Sequence, residues 1–168
     1  EILTSSDSAE LALQASQCPV WLGQPDLLAS LLRQGHKPAW MQSTWAGITP
    51  LLADGLPRDY RLTRAVGIFG QVMAEYMLTY MLGHEREVLP RLLSQVERRW
   101  DDRPGGTLEG RQVLIVGTGD IGQRVAEFLQ PFGVTLYGIA SSAREQAPFA
   151  EVAALADLPS RVERADYV

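Results

Sequence analysis

The 168 residues, 46% hydrophobic and 21% charged, have an ordinary globular composition, long enough for one domain or two small ones, which excludes disordered and fibrous classes. A formal net charge of −5, with arginines scattered through acidic stretches such as Glu85-Arg86-Glu87, leaves no basic footprint, so no nucleic-acid partner is expected. One cysteine, Cys18, and two distant histidines, His36 and His84, exclude an internal disulfide and offer no metal-ligand cluster. No apolar run reaches the roughly 18–20 residues of a membrane span and no basic-then-apolar leader opens the chain, so neither membrane nor export is expected and the cytoplasm is the default. The start at Glu1 without an initiator Met, and an end at Ala165-Asp166-Tyr167-Val168 that looks like the opening of a strand, lead us to expect a piece of a longer protein.

Residues 1–64 alternate short apolar runs with helical patterns, the signature of a small α/β layer structure. Val20-Trp21-Leu22 is expected as a buried strand. Gly23-Gln24-Pro25-Asp26 then turns into a helix with Pro25 at its first position, Leu27, Leu28, Leu31 and Leu32 on its apolar face, and Gly35 at its end. Ala39 to Gln42 predicts a second strand, followed by Ser43-Thr44-Trp45-Ala46-Gly47 and a short helix through Ile48, Leu51 and Leu52. From Phe69 to Leu82, apolar Phe69, Val72, Met73, Tyr76, Met77, Tyr80 and Met81 recur at spacings of three and four, predicting an amphipathic helix with Gln71, Glu75 and Thr79 on the other face. Pro90 interrupts the pattern and opens a second helix with Leu92, Leu93, Val96 and Trp100 on one stripe. Both stripes are expected to serve core or subunit packing, and Asp101 to Gly106 to form a loop.

Gln112-Val113-Leu114-Ile115-Val116 is a continuous apolar run of the kind buried on both faces of a parallel sheet. A helix with Ile121, Val125, Phe128 and Leu129 on one face follows, Phe132-Gly133 stops it, and Val134 to Ile139 predicts a further strand: one strand-helix-strand unit. Between strand and helix lies Gly117-Thr118-Gly119-Asp120-Ile121-Gly122. Gly117 permits the tight turn, Gly119 leaves room for a pyrophosphate against the backbone, Gly122 lets helix and sheet approach, and the helix N-terminus offers N–H groups to phosphate. Dinucleotide binding is the expected role. A structural turn or a methyltransferase-type loop is the alternative. The carboxylate that would receive the ribose hydroxyls of NAD is missing at the end of the second strand, where Ala140 stands, followed by Ser141, Ser142 and Arg144. Those hydroxyls and that guanidinium suit a 2′-phosphate, so NADP is expected in preference to NAD.

Three segments together resemble the D-isomer-specific 2-hydroxyacid dehydrogenases, especially their glyoxylate/hydroxypyruvate reductase branch: Trp40 to Gly47, Gly67 to Tyr76 and Leu114 to Gly122. The resemblance implies an α/β chain with residues 1–66 in a flavodoxin-like substrate domain, 67–108 as interdomain and dimerisation helices, and 109–168 as the first half of a Rossmann-type nucleotide domain. It implies a homodimer, a cleft that closes on substrate, and reversible hydride transfer between NAD(P)H and a small 2-oxo acid. Carried onto this sequence, the backbone N–H groups of Ala46 and Gly47 would hold the substrate carboxylate and Trp45 would wall the pocket; without the resemblance Trp45 would be taken for a core aromatic. The family's catalytic Arg, Glu and His have no counterpart here and are expected beyond Val168, so these residues alone are expected to be inactive. A non-catalytic dinucleotide sensor of the same fold is the rival reading.

Overall fold

The computed structural model describes residues 2–168, which divide into two compact units, 2–66 and 67–168. In the first unit, helix α1 (Ser8–Ala15) begins where the Asp7 carboxylate accepts the N–H groups of Ala9 and Glu10, a side-chain cap for otherwise orphaned donors. Strands β1 (Val20–Gly23), β2 (Trp40–Ser43) and β3 (Arg61–Thr63) make a parallel sheet in that order, with Trp21 opposite Met41 and Met41 opposite Leu62. Helix α2 (Pro25–Arg33) follows β1, with Pro25 at its start, and buries Leu28, Ala29, Leu31 and Leu32 against Trp21, Met41 and Leu51.

One expectation needs correction in this unit. Strand β1 is buried only at Trp21, while Val20 and Leu22 are 52% and 70% exposed, because they share the sheet face of exposed Trp40 and an apolar run does not reveal which face is covered. The short helix expected after Gly47 is a 3-10 turn, Thr49–Leu52, that buries Leu51. Helix α1 and strand β3 have no counterpart in the sequence reading.

The second unit holds α3 (Gly70–Glu85), α4 (Val88–Val96), β4 (Gln112–Val116), α5 (Asp120–Leu129), β5 (Thr135–Ala140), β6 (Glu151–Ala154) and the short α6 (Leu158–Val162). Its sheet is parallel in the order β4-β5-β6. Along β4 the side chains alternate: Val113 and Ile115 join α3 and α5 through Ala74, Met81, Val125, Ala126 and Leu129, while Leu114 joins Ile139 and Ala153 on the other face. At the chain's end Tyr167 bridges Val113 in parallel, and Leu114 donates its N–H to the Tyr167 carbonyl, so pairing begins on the free side of β4. This is an α/β structure with two parallel three-stranded sheets, the second a Rossmann-type strand-helix-strand arrangement.

The two helical stripes divide between core and surface. Helix α3 packs on α5 through Gly70 and Ala74, small residues that admit close approach, and buries Met81, while Val72, Tyr76 and Tyr80 are exposed. Helix α4 starts before Pro90, after Glu87 in a left-handed conformation, and buries Ser94; Leu92, Leu93, Val96 and Trp100 are exposed, and Trp100 lies past the helix. Met81 and Met77 of the α3 stripe thus join the core, while the α4 stripe is exposed on this chain.

Candidate functional site

The glycine loop leaves β4 through Gly117 at φ +102°, a conformation that favours glycine, and enters α5 with Gly119 as the capping residue. No side chain caps this helix start, and the N–H groups of Gly119, Asp120 and Ile121 find no acceptor among the described residues. A Cβ on Gly117 or Gly119 would meet nothing within 4 Å, so the space over the loop is open. Gly122 is different: a Cβ there would overlap the Gly117 carbonyl oxygen and stand 3.1 Å from Ile115 Cγ2, so it is the point where helix and strand touch. Free N–H donors, a helix dipole and an open glycine backbone fit the pyrophosphate of a dinucleotide.

The six loop residues are not equivalent. Asp120 turns its carboxylate away to accept the Gly67 N–H at 2.9 Å, and Ile121 packs into the core beside α3, so both offer only backbone to a ligand. Thr118 is buried at 4% exposure, its methyl lying over Gly138 of β5 where a Cβ would overlap it. Ser141 and Ser142 are exposed beyond β5. Arg144 is brought back to the loop: its Nη2 donates to Thr118 Oγ1 and its Nε to Gln146 Oε1 at 2.8 Å. No carboxylate among the described residues pairs with it. Sequence reasoning missed Gln146 and Gln123, whose amides connect Arg144, Thr118 and α5. No motif or periodicity marks either glutamine.

In the first unit the predicted substrate segment follows β2, at the C-terminal ends of parallel strands, the usual place for a ligand loop in such sheets. Ser43 is fully buried; its hydroxyl donates to the Trp45 carbonyl at 2.9 Å and accepts the Trp45 N–H at 3.1 Å. Arg64 Nη1 donates to the Ala46 carbonyl at 2.7 Å, and Thr44 donates its N–H to the Gly23 carbonyl. The loop is therefore fixed from below while the N–H groups of Ala46 and Gly47 find no acceptor among the described residues. Trp45 is 57% exposed, so it is not a core aromatic. His36 and His84 belong to neither site: His36 follows α2, and His84 is exposed near the end of α3, its ring edge-on to Tyr167. No group of three or more metal-ligating side chains occurs among the described residues, and no helix is long and apolar enough to cross a membrane.

Known proteins share this fold. The family described as "D-isomer specific 2-hydroxyacid dehydrogenase, NAD binding domain" matches residues 78–168. The crystal structure of a D-isomer specific 2-hydroxyacid dehydrogenase family protein from Aeromonas salmonicida superposes with a TM-score of 0.88 at 34% identity, covering 100% of this chain and 55% of that one. The D-isomer specific 2-hydroxyacid dehydrogenase from Xanthobacter autotrophicus, in complex with NADPH and MES, shares the fold at 24% identity and a TM-score of 0.65, covering 81% of this chain and 44% of that one. A Streptomyces coelicolor protein, "Uncharacterized protein in mprR 3'region", is 32% identical over 120 residues, which are 71% of this chain and 42% of that protein. The chain thus spans about half the length of these relatives. With its glycine loop inside the matched segment, the chain belongs to the D-isomer-specific 2-hydroxyacid dehydrogenases and carries part of their nicotinamide-dinucleotide-binding domain.

Proposed function

We propose that this chain is the cofactor-binding and leading substrate-binding part of an NADP-preferring oxidoreductase that moves hydride reversibly between the nicotinamide and a small 2-oxo acid of the glyoxylate or hydroxypyruvate class. Residues 1–66 form the leading part of the substrate domain, 67–108 the interdomain and dimerisation helices, and 109–168 the first half of the nucleotide domain. The observation that carries the cofactor preference is the Arg144 guanidinium, without a carboxylate partner among the described residues, hydrogen-bonded to the glycine loop just past a strand that finishes in Ala140 rather than an acid. An arginine there neutralises a 2′-phosphate, and an acid there would repel it. The NADPH bound in the Xanthobacter relative is consistent with this reading.

Bound at the loop, the dinucleotide supplies the hydride. Gly117 and Gly119 admit the pyrophosphate, the N–H groups at the start of α5 hold it, Arg144 with Ser141 and Ser142 takes the 2′-phosphate, and the N–H groups of Ala46 and Gly47 hold the substrate carboxylate beside Trp45. The carbonyl still needs a cation to polarise it and an acid to protonate the alkoxide, and no residue described above supplies either. The 168-residue chain is therefore inactive by itself. Calorimetric titration with NADPH, NADH and S-adenosylmethionine tests the reading. NADPH binding tighter than NADH, with no heat from S-adenosylmethionine, is expected. Equal or inverted nicotinamide affinities would overturn the NADP preference, and NADPH oxidation by glyoxylate at an ordinary enzymatic rate would overturn the assignment of catalysis to other sequence.

A further inference from the structure

Around Arg144 the hydrogen bonds close into a ring. The Gln146 amide uses all its capacity: its oxygen accepts from Arg144 Nε at 2.8 Å and from Thr118 Oγ1 at 3.1 Å, and its nitrogen donates to the Thr118 carbonyl at 2.9 Å and to Gln123 Oε1 at 2.6 Å. The Thr118 carbonyl can only accept and Arg144 Nε can only donate, so the amide has one workable orientation. The Thr118 hydroxyl gives its proton to Gln146 and accepts from Arg144 Nη2. Gln123 extends the ring into α5, its Nε2 donating to the Ala147 carbonyl at 2.8 Å.

Both anchors are rigid. Thr118 is wedged over Gly138 between β4 and α5, and Gln123 lies in the first turns of α5. Arg144 has no regular structure of its own to hold it beyond one backbone bond to Val152, yet its guanidinium is fixed at two points. Of the five N–H donors of an arginine, those two are spent and the rest are available to a ligand. An arginine held in this way has already given up the rotamer freedom that binding would otherwise cost.

We propose that Gln146 is the positioning residue for 2′-phosphate discrimination: it holds the Arg144 guanidinium against the glycine loop, and selectivity for a 2′-phosphorylated adenosine depends on that hold. The proposal rests on the reading of Arg144 as the 2′-phosphate contact. It is tested on the whole chain by calorimetric titration with 2′,5′-ADP and 5′-AMP, which differ only in the 2′-phosphate, using Arg144→Ala, Gln146→Met and the double variant. Gln146→Met keeps the length of the side chain and removes its hydrogen bonds. It is expected to weaken 2′,5′-ADP about tenfold, equivalent to about 1.4 kcal/mol, to leave 5′-AMP unchanged, and to add nothing when Arg144 is already alanine. An unchanged ratio of the two affinities in Gln146→Met overturns the proposal. So does an equal loss of both ligands, which would make Gln146 a support of the loop alone. So does a full effect of Gln146→Met in the Arg144→Ala background. If instead Arg144→Ala leaves the ratio unchanged, the reading of Arg144 itself falls and takes the proposal with it.

Discussion

Gly122 and Gly119 of the loop make separable demands, so alanine at each should fail in a different way. At Gly122 the added methyl meets the Gly117 carbonyl oxygen, the Gly117 carbonyl carbon at 3.0 Å and Ile115 Cγ2 at 3.1 Å, two of them backbone atoms that cannot swing aside. Overpacking of this kind costs about 1–3 kcal/mol, while alanine recovers at most about 1 kcal/mol of helix propensity. A net loss of about 2 kcal/mol corresponds to a fall in Tm of about 4–8 °C for a chain of this size. At Gly119 the methyl meets nothing and the backbone φ of −78° suits any residue, so Gly119→Ala should leave Tm within about 2 °C, since an unstrained surface change is worth about 0.5 kcal/mol. Its methyl stands where the pyrophosphate should lie, so NADPH affinity should drop at least about tenfold, or about 1.4 kcal/mol. Thermal unfolding by circular dichroism and calorimetric titration on the same samples separate the two effects. The reasoning is refuted if Gly119→Ala binds NADPH like the parent, or if it destabilises as much as Gly122→Ala.

Three further outcomes follow from the same structure. Glu85, buried at the end of α3, accepts from the Tyr167 hydroxyl at 2.6 Å and from Arg111 at 2.9 Å, and these bonds, the tyrosine's first, hold its carboxyl below the usual range. A depressed folded value gives stability that is full above the unfolded value of about 4.3 and is lost as pH falls through the folded one. Glu85→Gln should therefore flatten the acid limb of Tm against pH, and Glu85→Ala should cost about 3 kcal/mol at pH 7 by stranding its partners; an acid limb as steep as the parent's in Glu85→Gln would refute this. Asp replacing Leu92 and Val96, which are 52% and 82% exposed, should abolish a proposed dimer in sedimentation runs without lowering Tm, and a parent already monomeric at high concentration would rule it out. Ser43→Ala, losing both bonds to Trp45, should cost about 1–2 kcal/mol, whereas Trp45→Ala should leave unfolding unchanged because the indole is exposed; equal effects in chemical denaturation would contradict the loop as described.

How much could be read from the chain depends on whether a feature is local. Strand β4, the glycine loop and the face of α5 formed by Val125 and Leu129 were legible because a continuous apolar run, a turn that needs glycine and a three-four spacing are each written within a few residues. The burial of β1 was not, since Val20 and Leu22 lie with Trp40 on the exposed face of the sheet, and which face is covered is not written in the run itself. The α3 stripe was legible only in part, through Met77 and Met81. Apolar residues lie most of the way round that helix, and the face turned to α5 is chosen by the small residues Gly70 and Ala74, which a hydrophobicity pattern scores as weak. Among the candidate site residues, Ala46, Gly47 and the loop glycines could be named from motif alone, while Gln146 could not, its partner Thr118 being 28 residues away.

That distance also explains where selectivity can reside. Backbone N–H groups at the start of α5 attract any phosphate, so they supply affinity without distinguishing one adenosine from another. Ala140 could carry a discriminating acid, but it is the last residue of β5, in register with Ala154 of β6 and packed against the core, where a change disturbs the sheet. Residues 141–146 lie past the strand and can vary at little cost to the core, but such a segment gains precision only when something anchors it. The ring through Thr118, Gln123 and Gln146 supplies that anchor from elements already immobilised by β4 and α5. On the proposed reading, affinity belongs to the glycine loop and selectivity to the segment tied to it, so substitutions at 144 and 146 should change which dinucleotide is preferred while leaving the fold of the sheet intact.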